Sequence, residues 1–403
     1  MTSQTDRIFD SFSNSSIFKN KVMLQSNYIP ESIQHREKQI ESIASILAPC
    51  LRLEKTSNLF IYGKTGTGKT VSIMYLKDEL LKRAKKNNLN LNIEYINCKL
   101  KKVADTEYRI LAELIRKLGS SVPATGLPTE SVYNKFIEII ESKPQLFILI
   151  LDEIDQAIKK ISDDFLYNLI RLNSELTKAQ IVLIGISNDL TFLDNIDPRV
   201  RSSLGEEEIV FPPYNALQLQ DILRERAKHA FQGEVIEPGV LEKCAAYAAR
   251  EHGDARRALD LLRISGELVE REGGKKVMQE HIDKANDKIE KDKILDIVET
   301  EPRQFQIILQ SIISLEESKK LPQIFTGDIY NHYKDLCKKT SNEVLTQRRV
   351  GDIIAEFDML GIINAVVVSK GRYGRTRKIK LAIPQQLMPQ VKTILSSSLG
   401  LEE

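Results

Sequence analysis

Residues 58–70 read Asn-Leu-Phe-Ile-Tyr-Gly-Lys-Thr-Gly-Thr-Gly-Lys-Thr, an apolar run that flows into a glycine-rich turn. Gly63, Gly68, Lys69 and Thr70 fill the defining positions of G-x-x-x-x-G-K-[ST], a pattern that works only between a strand and a helix. Glycine lets the backbone fold tightly, so that N–H groups from Gly63 through Lys64, Thr65, Gly66, Thr67 and Gly68 to Val71 converge on phosphate oxygens. The helix expected from Val71 to about Ala84 turns its positive end toward the same anion. Lys69 would reach the outer phosphates, and the Thr70 hydroxyl would sit on Mg²⁺. The plain alternative, a chance glycine-rich turn, does not account for the strand and helix patterns on its two sides. The chain is expected to bind a nucleoside triphosphate.

At 403 residues the chain is too long for one ordinary core, and two or three domains are expected. Its 42% hydrophobic and 28% charged content suits soluble globular packing. No apolar run approaches the length that crosses a bilayer, so no membrane partner is expected. The polar opening, residues 1–17, lacks the apolar core of a secretion signal and reads as a loose tail. Cys50, Cys98, Cys244 and Cys337 are far apart and form no C-x-x-C pair, which points to a reducing, cytoplasmic setting without disulfides or zinc. The five histidines show no ligand spacing. With a net charge of +2, polyanion binding would have to come from local clusters of basic residues.

The first two hundred residues alternate strand and helix patterns. Asn58–Tyr62, Asn92–Asn97, Leu146–Leu151 and Ile181–Ile186 are short and apolar on both faces, the signature of a parallel sheet covered on both sides. An α/β nucleotide-binding core over residues 18–210 follows. From Phe211 to about Lys291 helical periods take over, as in Leu219, Ile222, Leu223, Ala227 and Ala230, and Asp254 is placed to cap a helix. Residues 292–403 form a third block. Thr326 is expected to cap one helix (Ile329, Tyr333 and Leu336 inward) and Thr346 the next (Val350, Ile353, Phe357 and Leu360 inward), ending at Gly361. Strands over Ile362–Ser369 and Lys378–Ile383 complete a winged-helix order.

Leu146–Leu151 runs straight into Asp152-Glu153-Ile154-Asp155, which puts two acids at the carboxyl edge of the sheet, where ligands bind in open α/β folds. Asp152 is positioned to hold Mg²⁺ through water, and Glu153 to polarise an attacking water. An acidic strand cap is the bland reading; the cradle upstream favours the functional one. A third strand ends Ser187-Asn188-Asp189, and the Asn188 amide could bond that water or the γ-phosphate, although turn residues also end strands for local reasons.

The segment Lys370–Lys380 carries six basic residues, no acidic ones, and Tyr373. Arg372, Arg375 and Arg377 suit phosphate or minor-groove edges, and the glycines allow close approach. Gln347, Arg348 and Arg349 open the preceding helix, where recognition helices meet base edges. Asp352 and Glu356 lie further along and should face away. A solvated basic hairpin is the ordinary alternative, but two adjacent basic elements favour duplex DNA.

Together the cradle, the Asp152 strand, the Asn188 strand end and the Gly253-Asp-Ala-Arg256 helix resemble an AAA+ ATPase. Tyr28–Ile40, the Asp197–Leu204 box, Phe211-Pro-Pro-Tyr214 and the C-terminal winged helix resemble, more narrowly, the archaeal Orc1/Cdc6 replication initiators, over about Phe18 to Pro389. The resemblance implies an AAA+ core with a helical lid over 211–291, ATP or ADP with Mg²⁺, and binding of double-stranded origin DNA. It also implies loading of the replicative helicase (MCM), self-association on DNA and a nucleoid-associated location. It places His35 and Arg36 in the segment that walls the adenine, Tyr214 and Arg226 at lid positions that contact nucleotide, and Arg256 at the lid arginine that reaches the γ-phosphate. The Thr106–Leu118 helix, with Arg109, Arg116 and Lys117, resembles an initiator insertion that touches DNA; a plain crossover helix with a long loop fits equally well. One position departs from the broader pattern: where an arginine finger is common, Ser203 stands, with Arg199 and Arg201 nearby. Such a finger speeds phosphoryl transfer by about 10³–10⁵, so ATP is expected to act as a slowly hydrolysed switch. Two rivals share this domain order: a signalling ATPase whose winged domain is an internal clasp, and a clamp-loader-like ATPase whose winged domain binds protein.

Overall fold

The computed structural model describes residues 17–26, 28–99, 105–123, 125–318, 322–369 and 375–401. It divides into two compact units, residues 1–282 and 283–403.

In the first unit, five parallel strands lie in the order β2-β3-β4-β1-β5: β1 (Asn58–Tyr62), β2 (Leu91–Asn97), β3 (Gln145–Asp152), β4 (Ala179–Ser187) and β5 (Glu206–Val210). Every residue of β1 and β3 is buried, because helices cover both faces and the two strands present apolar side chains to each. Helices α1 (Glu37–Leu47) and α2 (Lys69–Lys86) seal one face with Ile43, Leu47 and Ile73. Four helices seal the other: α3 (Glu107–Lys117), α4 (Thr129–Ile140), α5 (Ile154–Ile161) and α6 (Asp164–Glu175), through Leu114, Phe136 and Phe165. α7 (Pro198–Leu204) follows β4, capped by Asp197. The chain leaves β1 through α2 and crosses to β2 at the sheet's far edge, so the carboxyl ends of β1, β3 and β4 open onto a shared crevice.

The expected strands stand where their apolar runs placed them, β1 residue for residue. Two elements were not foreseen. β5 is an edge strand begun by Glu206, Glu207 and Glu208 and paired only with β1. α4 shows that the stretch between β2 and β3 is two helices, not one helix and a long loop.

Three helices form the lid: α8 (Ala216–Ala230), α9 (Val240–Arg250) and α10 (Ala255–Arg271). Asp254 caps α10 as expected, accepting from the N–H groups of Arg256 and Arg257. The N-terminal strap lies on this lid: the Lys19 and Asn20 N–H groups donate to the Ala230 carbonyl at 2.8 and 3.1 Å, and the Phe18 ring sits 4.7 Å from that of Phe231. The boundary between the units falls inside α11 (Gln279–Thr300).

The second unit contains α12 (Arg303–Ser318), α13 (Thr326–Lys339), α14 (Gln347–Met359) and α15 (Met388–Leu399) around a three-stranded sheet, β6 (Ile324–Phe325), β7 (Ile363–Ser369) and β8 (Arg375–Leu381), in order β6-β8-β7. Ile308, Ile312, Ile329, Tyr333, Val350, Ile353 and Phe357 make its core. Thr346 caps α14 through the Arg349 N–H, as the sequence predicts. Three details differ. Phe325, not Thr326, is the cap of α13, and the Asp328 carboxylate accepts its N–H at 2.9 Å. β8 begins three positions before Lys378, because the hairpin pairs Ser369 with Arg375. β6, too short to leave a sequence signal, adds the third strand. Among the described residues, no helix is long and apolar enough to cross a membrane.

Candidate nucleotide and nucleic-acid sites

Gly66 and Gly68 have φ of 72° and 90°, a region that side chains rarely adopt. Space excludes a side chain as well. A Cβ on Gly68 would meet the Tyr214 hydroxyl at 2.7 Å, and one on Gly66 would overlap the Asp254 carboxylate. The loop is therefore pressed between the chain entering the lid and the start of α10, where the Ala255 N–H donates to the Gly66 carbonyl at 3.2 Å.

Lys69 is 6% exposed. Its ammonium donates to the carbonyls of Gly63 (2.7 Å) and Lys64 (2.9 Å) and to Asn188 Oδ1 (2.9 Å). Burial lowers its pKa to about 8, opposed by Asp152 and reinforced by Arg256. Behind it, Asp152 Oδ2 accepts from both the Thr70 hydroxyl and the Tyr95 hydroxyl at 2.8 Å, and Oδ1 accepts from the Glu153 N–H at 2.9 Å. Glu153 has φ 55° and ψ 44°, a left-handed conformation that costs a non-glycine residue about 1–3 kcal/mol and is characteristic of functional sites. Its Oε2 lies 3.9 Å from Lys99 Nζ.

These groups border a cavity of about 490 Å³. Thr65 to Val71, Asp152, Glu153, Asn188 and the exposed Arg256 are part of its lining. Tyr28, Ile29, Pro30, Ile33, Met74 and Leu259 add apolar surface to the same lining, of the kind that suits a planar base. The Arg226 guanidinium stacks 4.7 Å from the centre of the Tyr28 ring, and its Nη1 is buried without a hydrogen-bond partner among the described residues. Tyr214 and Arg226 both border this cavity.

The residues suit a magnesium nucleotide. Hard oxygen donors (the Thr70 hydroxyl and the Asp152 carboxylate) touch each other beside a buried cation, and Asp152 and Thr70 would hold the ion, directly or through water. The metal would neutralise and clamp phosphate oxygens. The protein would supply the rest: Lys69 and the loop N–H groups border the cavity where phosphate would lie, Glu153 borders it too, and Asn188 Oδ1 accepts from the Lys69 ammonium.

Four of the residues expected to touch nucleotide are not among those that border the cavity. His35 and Arg36 do not line the cavity; the residues just before them, Tyr28 to Gln34, do. His35 Nε2 instead bonds Asp221 Oδ2 at 3.1 Å. Arg36 is 2% exposed and lies behind the loop. Gly63 and Lys64 also stand off the cavity, their carbonyls taken by Lys69. Tyr95 was missed altogether; its only sequence signal is a phenol near the end of a strand beside the Asp152 strand.

In the second unit, Gln347, Arg348 and Arg349 are all exposed on the first turn of α14. Arg377 departs from its expected role: it is half-buried and its Nη1 donates to the Gly351 carbonyl at 2.6 Å, bracing β8 against α14. Arg372 and Tyr373 lie outside the described residues, and Arg375 opens β8. In the first unit Arg109 pairs with Asp105 at 3.2 Å, Arg116 with Glu113 at 2.6 Å and Lys117 with Glu94 at 3.9 Å, so their charges are already answered. Arg199 and Arg201 pair with Asp197 and Asp194 at 2.9 and 2.8 Å.

Comparison with known families accounts for both units. Residues 52–193 match the family described as AAA domain, 220–287 the Cdc6 AAA+ ATPase-type lid domain, and 296–390 the CDC6 C-terminal winged helix domain. The chain is 50% identical to an ORC1-type DNA replication protein of Thermococcus onnurineus over 98% of this chain and 97% of that one. It is 52% identical to ORC1-type DNA replication protein 1 of Methanosarcina acetivorans over 92% and 88%. Among solved structures, the Aeropyrum pernix ORC1 protein in complex with DNA superposes with a TM-score of 0.85 at 42% identity, covering 95% of this chain and 98% of that one. The Pyrobaculum aerophilum Cdc6 structure, at 21% identity and a TM-score of 0.59 (95% and 100% covered), shares the fold. With relatives at 50% identity or more along nearly the whole chain and all three domain families matched in order, this chain belongs to the family of ORC1-type DNA replication proteins, with an AAA+ ATPase core.

Proposed function

We propose that this protein is an ATP-switched replication initiator: it binds Mg²⁺–ATP in the first unit, grips origin duplex DNA with its winged helix, and promotes loading of the replicative helicase. The observation that carries the reading is the convergence of Lys69, Thr70, Asp152, Glu153, Asn188 and Arg256 on one cavity that also carries apolar side chains. In this reading Glu153 activates water, Arg256 reaches the γ-phosphate from the lid, and Arg226 and Tyr214 hold the nucleotide. Slow turnover is supported by Arg199 and Arg201, each engaged by an aspartate of its own chain. Duplex binding is supported by the exposed head of α14 and by the relative solved with DNA.

The test is a titration of the purified protein with labelled ATP and ADP, followed by duplex binding at several salt concentrations. The reading expects retained nucleotide and steeply salt-dependent duplex affinity. Absence of nucleotide binding would overturn it. Weak duplex binding indifferent to sequence would favour a winged domain that binds protein.

A further inference from the structure

Arg36 is held in an unusual way for a buried cation. Its Nε donates to the Thr67 carbonyl at 2.8 Å, Nη1 to the His35 carbonyl at 3.0 Å and Nη2 to the Pro212 carbonyl at 2.6 Å. The Tyr214 ring stacks on the guanidinium at 3.7 Å. All three donated bonds end on backbone carbonyls and none on a carboxylate. Among the described residues, the one carboxylate that acts on it is the exposed Glu37, a weaker influence on its charge than the neutral phenol of Tyr214. A guanidinium 2% exposed and without an anionic partner is a costly thing to bury. Geometry suggests what answers it. Thr67 belongs to the phosphate loop, and the bond to its carbonyl polarises the Thr67–Gly68 peptide, which makes the N–H of Gly68, a residue that borders the cavity, a stronger donor. The Gly68 backbone is so close that a Cβ there would lie 3.7 Å from Arg36 Nε.

We infer that Arg36 is a positioning residue of the phosphate site, a cation concealed behind the loop whose counter-charge is the nucleotide's polyphosphate. It shapes the loop and strengthens its field without touching the ligand. The inference rests on the nucleotide reading above and deepens it, because it assigns Arg36 to phosphate and not to the base.

A structural brace and a concealed counter-cation differ in how they respond to phosphate number. Competition against a fluorescent ADP analogue gives affinities for adenosine, AMP, ADP and ATP in the wild type, Arg36→Gln and Arg36→Lys. Arg36→Gln removes the charge, and its loss should grow with phosphate count, to at least about tenfold for ADP and ATP but under about threefold for adenosine. Arg36→Lys should recover most of that graded part. Equal losses for all four ligands, or no loss, would overturn the inference. Should Arg36→Gln fail to fold, Arg36→Met serves with a thermal melt: inorganic pyrophosphate should raise the midpoint of the wild type but not of the variant, and equal gains would overturn the proposal. A wild type that binds no nucleotide would instead remove the underlying reading.

Discussion

The two units treat charge in opposite ways. Among the described residues, the buried Arg36, Lys69, Asp152 and Asp155 all belong to the first unit, whereas the buried polar groups of the second are only the neutral Gln306 and Ser311. The second unit keeps Arg348 and Arg349 in solvent. The difference fits the ligand proposed for each. A small anion is surrounded, so its partners are pre-set in low dielectric, where each contact is strong and each loss expensive. A duplex is approached from one side across water and salt, so each cation contributes little alone and acts through counterion release. Point changes should therefore hit the first unit hard and the second gently.

The largest effect expected is from Lys69→Ala. Deleting a buried ammonium that binds phosphate removes about 3–4 kcal/mol, a loss of roughly 10²–10³ in ATP affinity by fluorescent-nucleotide titration. Retained affinity would break the contrast at once. Glu153→Ala comes next: binding should persist, while single-turnover hydrolysis falls by about 10²-fold or more. Normal hydrolysis would mean that another group activates the water.

On the other side of the contrast, the double variant Arg348→Ala and Arg349→Ala should leave nucleotide binding intact. It should flatten the slope of log K against log salt by about two, near one per phosphate contact, weakening duplex binding by about tenfold near 0.2 M salt. An unchanged slope would detach α14 from DNA. The smallest effect concerns pH. Lys69 without ligand has a pKa lowered to about 8, chiefly by burial, and a bound polyphosphate restores the charged form. Below pH 8 the ammonium is already present. Above it, binding must take up a proton, so nucleotide affinity should fall about fivefold between pH 8 and 9. A flat profile across that range would mean that Lys69 keeps its charge without phosphate.

What could be read in the sequence follows the same divide between local and distant causes. β1 and β3 were legible because both faces are buried, so their apolar runs are continuous. β5 was not, because an edge strand with three glutamates is defined by its partner β1 and carries no pattern of its own. α4 hid behind the Gly119–Pro128 stretch, although Val132, Phe136 and Ile140 recur every four residues and are fully buried. The placement of Lys69, Thr70 and Asp152 at one sheet edge was legible because they sit in motifs whose spacing fixes direction, whereas the bond from Lys69 to Asn188 was not foreseen from the strand end that carries it. Tyr95 and Arg36 were not, since their roles depend on Asp152 across the sheet and on Thr67 and Pro212 far along the chain. Arg377 shows the converse: a basic residue in a basic run that is committed to its own neighbour, Gly351.

The central claim is that the nucleotide held in the first unit governs the grip of the second on DNA. The direct measurement is duplex affinity of one preparation loaded with ADP and another loaded with a non-hydrolysable ATP analogue, at fixed salt. The account predicts affinities that differ several-fold between the two states, with the Glu153→Ala protein in ATP matching the analogue. Identical affinities in every nucleotide state would contradict it.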